Sequence, residues 1–412
     1  MSTSIPARHP DHPGPVPAAI ALAAAALRIG KPDAGQWTRL GDQLSIGDDP
    51  MDSLVASAPP GGLKKLRTEF ERALAEGVAS VPDAPKPLQD FFASIETPPD
   101  WVDPEALRVG QQVLRRGGAD GMYIARDVAL LGGYQFSGFN QTLLRTGALE
   151  KGSNQRFAET MRWGLDVIGE GSLDPFGAGY RSTVHVRFVH AMVRRHVGAL
   201  PDWRPDRWGV PINQTDMAAT LIGTLVVPPL GALGMGVLAT PRELNCVAHL
   251  TRYVGWLMGV RDEWLPRSFR DAIRILYHTS TALALPDETT RMLSTPMAAD
   301  PLSWHYRRAR RLRRRLAWAQ HLSVTTAFLG PRTMRALGLP TYMPPWYPMI
   351  RIPVNGARSL AAWTLPGGAR RAADRGLREQ ESFLRTIIGD TEAIIGASVT
   401  HVHEVPEPAD PR

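Results

Sequence analysis

Apolar residues recur along this chain at three- and four-residue intervals, the period of an amphipathic helix. "GGLKKLRTEFERALAEG" (61–77) shows the spacing cleanly and ends at a glycine. "DPEALRVGQQVLRRGG" (103–118) opens on Asp-Pro and closes on Gly-Gly. The connector "PKPLQDFFASIETPPDW" holds one short helix, and in "DPMDSLVAS" Asp49 or Asp52 is available as an N-cap. Further helices are predicted near 121–132, 154–170, 182–198, 214–226, 231–238, 241–259, 268–281, 287–295, 301–329, 332–337 and 370–396. Strand-like alternation is scarce, with "MIRIPV" (349–354) the weak exception. The pattern predicts an all-α fold with one compact domain over 36–396. Residues 1–35 read as a flexible N-terminal segment with a short Ala-rich helix in "VPAAIALAAAALRIG", and 397–412 as a flexible tail. The apolar run 217–239 is divided by Pro228-Pro229, which favours two core helices joined by a turn over a membrane span.

One predicted helix breaks its own pattern. In "VHVRFVHAMVRRHV" (184–197), His190 falls beside Val186, Val193 and Val197, on the side expected to be buried. An imidazole there is either a satisfied core residue or a metal ligand. Arg187 and Arg194 share the neighbouring stripe, one turn either side of His190. A haem needs an axial imidazole in an apolar wall and cations at the rim for its propionates, so this grouping makes haem a plausible partner beside the bland reading. In "NQRFAETMRWGLDVIG" (154–169), Arg156 and Thr160 lie four apart on one face, and both can donate hydrogen bonds to a ligand on the open side of such a group. Their ordinary reading is a surface arginine and a half-buried threonine.

Composition narrows the chemistry. The chain has 412 residues and a single cysteine, Cys246, which excludes an internal disulfide and Cys-based metal clusters. His185 and His196 point elsewhere on the wheel, so a two-His zinc face is poorly supported. The net charge of +7 suits a polyanion, an anionic membrane surface or an anionic cofactor. No zinc finger, RNA-binding signature or Walker loop is present, which speaks against nucleic acid. The run "RRARRLRRRL" (307–316) is a solvated helix face or, with Trp304 and Trp318 nearby, a peripheral membrane contact through its 307–315 arginines. No clear signal peptide or twin arginine precedes the first helix, so a cytoplasmic monomer is the expectation.

"RFAET" followed thirty residues after Thr160 by "VRFVHAMVR" resembles the latex clearing proteins, the haem b rubber oxygenases, whose wider family includes a fungal oxygenase that shortens the farnesyl tail of a mycophenolic acid precursor. "WGVPINQTDMAATLIGTL", "HLTRYVGWLMGVRDEWLP", "LGLPTYMPPW" and "GDQLSIGDDPMDSLVAS" extend the likeness over roughly residues 36–350. The resemblance implies a globin-like haem-binding core wrapped by additional helices, with His190 as the proximal iron ligand. It sets Arg187 and Arg194 near the haem, and Arg156 and Thr160 in the distal pocket. The implied reaction inserts O2, the co-substrate, across an isoprenoid C=C bond of a lipophilic small molecule. Two positions depart from the family. Glu159 stands where relatives carry Lys, and Asn140, with Gln141 next, stands where rubber-cleaving members place a Glu proposed as base. Glu159 is therefore a candidate replacement for that base. Alternatives are a non-catalytic haem protein (gas sensor or carrier) on the same fold, or a haem-less membrane-peripheral protein.

Overall fold

The computed structural model describes residues 5–147, 149–396 and 403. The expected tail over 397–412 lies outside the described residues except for His403, whose N–H donates to Arg145 O at 3.1 Å. The described residues form helices with no strand, only an isolated bridge between Phe136 and Leu285. This is the all-α architecture that the periodicity predicts.

Local chemistry fixes many of the helix starts. Asp33 and Thr240 build reciprocal capping boxes with Gln36 and Glu243. Asp103, Asn213 and Ser268 cap the next helices by accepting backbone N–H groups. The Asp49–Ala56 helix departs from expectation: Asp48 is its N-cap, and the Asp52 carboxylate reaches back to the Asp48 N–H at 3.0 Å. The Pro104–Arg116 helix crosses Pro241–Leu257 so closely that a Cβ on Gly110 would lie 2.7 Å from Cys246 O. Most buried apolar side chains join one large core, and a second cluster forms around Tyr134, Phe157, Trp304 and Phe383.

The 217–239 run divides as expected, into Gln214–Leu225 and Val227–Gly234. Pro228 and Pro229 sit in the first turn of the second helix, where a missing N–H costs nothing. This pair, bent by 40°, is apolar enough together to cross a membrane, and no single helix among the described residues is.

Three expectations are corrected. "MIRIPV" is not a strand but part of the helix Trp346–Thr364. The helix predicted from 301 begins at Arg310, after a short 3-10 turn at Asp300–Leu302. The stretch between is held by Trp304, whose indole N–H donates to Asn154 Oδ1 at 2.9 Å. The N-terminal segment is not loose from residue 5 onward. Arg8 makes a two-pronged ion pair with Asp216 (3.2 and 2.7 Å), and His9 packs on Trp37. The following helix, Ala18–Ala26, lies over the body as one wall of a cavity.

Candidate functional site

Ser153–Ile168 and Ala178–Gly198 form an antiparallel helical hairpin. Trp163 Nε1 donates to Thr183 Oγ1 at 3.1 Å across it, with both groups buried. Continuing that register by seven residues on each helix, two turns, sets His190 level with Arg156. Residues expected on opposite sides of a bound group thus stand at one level of the hairpin.

His190 is half-buried as a residue, but its Nδ1 is enclosed and has no hydrogen-bond partner. Burial, helped by the nearby Arg194 charge, pushes its pKa down to about 3. The imidazole is therefore neutral at ordinary pH, the form that ligates iron. The enclosed Nδ1 lacks the acceptor that usually orients a ligating imidazole, so what suits a ligand role is the neutral ring and its place in the hairpin rather than this atom. His185 and His196, by contrast, are engaged by Glu71 at 2.6 Å and by the Met192 carbonyl at 2.7 Å.

The low pKa has a consequence for stability. The ordinary value is 6.5, so below that pH the unfolded chain binds the proton first, and stability is lost as pH falls from 6.5 toward 3. The full linkage is about 1.4 kcal/mol per pH unit, reduced because the residue is partly solvated. Cofactor-free protein titrated with urea between about pH 6.5 and 4.5 is expected to lose roughly 1–2 kcal/mol more than His190→Gln does. Parallel pH curves for the two proteins would show His190 to be solvated.

The structure pairs the two flanking arginines with carboxylates from earlier in the chain. The most buried stripe of their helix includes Val184, Arg187, Ala191 and Arg194. Arg187 donates from Nε and Nη2 to both oxygens of Asp48 at 2.6 and 2.7 Å. Arg194 donates from Nε to Asp52 at 2.7 and 2.9 Å, leaving Nη2 without a hydrogen bond. Arg187, closed on both oxygens of one carboxylate, has little left for a second anion, whereas Arg194 keeps a donor in Nη2. Arg156 is different: among the described residues its side chain makes no hydrogen bond or ion pair.

Thr160 lies on the wall of an apolar cavity of about 450 Å³. Its hydroxyl proton goes to Arg156 O at 3.2 Å, so Thr160 offers the cavity an acceptor rather than the expected donor. Asn140 is fully buried and off that wall; its amide donates to Tyr134 O at 2.7 Å and Thr289 Oγ1 at 3.1 Å. Glu159 is also buried and off the wall, within electrostatic reach of Lys151. The cavity is lined by Ile20, Phe136, Phe139, Met161, Leu230 and Phe328, among others, and carries no carboxylate.

Sequence reasoning missed several parts of this region. Gly164 and Gly223 line the cavity with open space where a Cβ would stand. A widened π turn, Ala125–Leu130, supplies more of the wall, a feature often found at functional sites. Its Asp127 bonds Nδ1 of a second buried histidine, His321, whose Nε2 has no partner. Only HxxD-type spacing would signal such a pair, and here the two lie 194 residues apart. Among the described residues no group of three His, Cys, Asp or Glu could hold a metal ion.

Comparison with known proteins bears on the fold and the family. A solved structure of latex clearing protein LCP in the closed state superposes with a TM-score of 0.52 at 18% identity, covering 82% of this chain and 90% of that one. A rubber oxygenase of Streptomyces sp. (strain K30) is 26% identical over 244 residues, 55% of this chain and 56% of that protein, so the match spans a little over half the length of that relative. The family model described as ER-bound oxygenase mpaB/B'/Rubber oxygenase, catalytic domain, matches residues 122–364. That stretch includes the hairpin, part of the cavity wall and His190, and the chain belongs to this family of mpaB-type and rubber oxygenases.

Proposed function

We propose that this protein is a haem b-dependent oxygenase that cleaves or oxidises a C=C bond of an isoprenoid or similar lipophilic alkene. The observation that carries the reading is His190, a neutral imidazole with no hydrogen-bond partner among the described residues, in the hairpin whose other helix walls an apolar cavity. Its residues fit a cofactor held through one imidazole. Bound haem would supply the activation of O2.

The chain's own groups have distinct tasks. His190 would hold the cofactor, kept neutral by its surroundings. Arg156, with no committed partner, is free to hold an acidic edge of the cofactor or to donate to a polar group beside it. Thr160 presents an oxygen acceptor to the cavity. The apolar wall excludes water and binds substrate by burial, worth about 25 cal/mol per Å² before the costs of association. A wall without a carboxylate leaves neither Asn140 nor Glu159 placed to take a proton from a substrate in the cavity. It also favours a hydrocarbon chain over an acid, because Arg116, the cation on the wall, is already paired with Glu243 at 2.5 Å.

Gly164 offers a direct test. It lies inside the Ser153–Ile168 helix with open space toward the cavity. Gly164→Leu is expected to gain about 0.5–1 kcal/mol of helix stability. It should also cut kcat/KM for a bulky alkene at least roughly tenfold, because its side chain takes the substrate's space. Oxygen consumption by haem-loaded protein with a polyprenyl substrate measures this. Undiminished turnover would place the substrate elsewhere.

A further inference from the structure

The helix Trp346–Thr364 wears its pattern inside out. Pro348, Asn355, Ser359 and Ala362 face the body. Met349, Ile350, Ile352, Leu360 and Trp363 face outward with 66, 57, 48, 54 and 43% of their surfaces exposed. Met349, Pro353, Gly356, Leu360 and Trp363 follow the spacing of one helical stripe. Both cations of this helix turn inward, Arg351 to Asp120 at 2.8 Å and Arg358 to Glu379 at 3.6 Å. The exposed side therefore carries no charge along about 28 Å of helix. A continuous apolar face of this kind marks an interaction surface.

The neighbouring surface is basic. A short turn leads from the apolar helix to Gly368–Ile388, which begins with exposed Arg370 and Arg371. Across a groove from that helix lies the start of Arg310–Ala336, with Arg313 opposite Arg378 and opposite Arg375, which pairs with Glu379 at 4.0 Å. Exposed Leu312 and Leu316 stand among the arginines there. No ion pair forms on residues 307–315 among the described residues.

We propose that the Trp346–Thr364 face and the adjoining arginines form a docking surface for an anionic lipid bilayer. The apolar stripe would lie in the interface plane with Trp363 among the headgroups, and the arginines would pair with lipid phosphates and carboxylates. Charge disfavours a second copy of this chain as the occupant, because pairing these faces would bring arginine clusters together. The placement also suits a lipophilic substrate. The inward side of the helix rests on the segment after Gly236, where a Cβ would lie 2.3 Å from Ile352 O. Leu238 N–H donates to Ser359 Oγ at 3.0 Å, and Val237, Leu238 and Ala239 line the apolar cavity. The docking helix thus backs onto the cavity wall.

The test uses full-length protein and vesicles of phosphatidylcholine, with and without phosphatidylserine, followed by cosedimentation and tryptophan fluorescence. Wild type is expected to bind the anionic vesicles at least roughly tenfold more tightly than the neutral ones, and less tightly at high salt. Met349→Glu/Leu360→Glu should lose that binding by at least about tenfold while keeping its fold, since both side chains are exposed. Arg370→Glu/Arg371→Glu should reduce the preference for anionic lipid. Binding unchanged by the apolar-face variant would overturn the proposal. So would a wild-type dimer that ignores vesicles and dissociates in that variant. Docking needs neither cofactor nor turnover, so it and the oxygenase reading fail separately.

Discussion

His190→Ala should abolish the Soret band, near roughly 400 nm, of protein reconstituted with haem, whereas His321→Ala should keep it. Each imidazole has one enclosed nitrogen without a partner, although only His321 is buried as a whole. They differ in what the rest of the ring does. His321 is committed to Asp127 through Nδ1 and enclosed by Tyr123 and Trp304, each 4.8 Å away between ring centres, with Phe383 stacked at 5.9 Å. Removing it leaves Asp127 still paired with Arg126 at 2.7 Å, so the variant should fold at a cost of about 1–3 kcal/mol. His190 has no such hydrogen bond, and it is level with the uncommitted Arg156. In His190→Ala, added imidazole should restore part of the band by occupying the space left. Titration with haem, followed by absorption and by bound stoichiometry, separates these cases without any activity measurement. Full binding by His190→Ala, or loss of binding only in His321→Ala, would transfer the ligand assignment to the second histidine.

What the sequence reveals depends on how far apart the interacting groups are. The division at Pro228-Pro229 was legible because proline acts on its own backbone. The anomaly of His190 was legible because a helical stripe is a local property. The roles of Arg187 and Arg194 were not, because their carboxylates lie about 140 residues earlier. The quoted "GDDPMDS" segment displayed Asp48 and Asp52, but local reasoning made such residues helix caps. Arg8 is a similar case, since its partner Asp216 is 208 residues away. "MIRIPV" failed for another reason: pattern reading assumes that apolar faces turn inward, and this helix turns its own outward. The cavity was invisible because its wall combines residues from Pro17 to Gln380.

Asp48→Ala should destabilise the fold by about 3–5 kcal/mol, the usual consequence of stripping one partner from a buried ion pair. Asp48 is 2% exposed, and its two oxygens close on Arg187, itself 6% exposed. The pair seats only because Gly259 has φ +82° and no side chain; a Cβ there would lie 2.4 Å from Asp48 Oδ2. Without Asp48, Arg187 would keep one hydrogen bond, to Leu257 O at 3.3 Å, and an otherwise unpaired charge. Asp52→Ala is the comparison, because Arg194, though its side chain is only 4% exposed, would still donate to Ile212 O at 3.1 Å and stand 4.0 Å from Asp48 Oδ2. Its cost should be smaller, about 1–3 kcal/mol. The double variant Asp48→Leu/Arg187→Leu should recover much of the loss, since it removes the unpaired Arg187 charge and leaves Arg194 paired with Asp52. Urea unfolding of the three variants measures the costs. A single-variant loss below about 1 kcal/mol would mean that water reaches Arg187. The effect should extend to the site, because Arg187 lies one turn before His190 on the same helix, and a shifted helix weakens haem binding even with the imidazole intact.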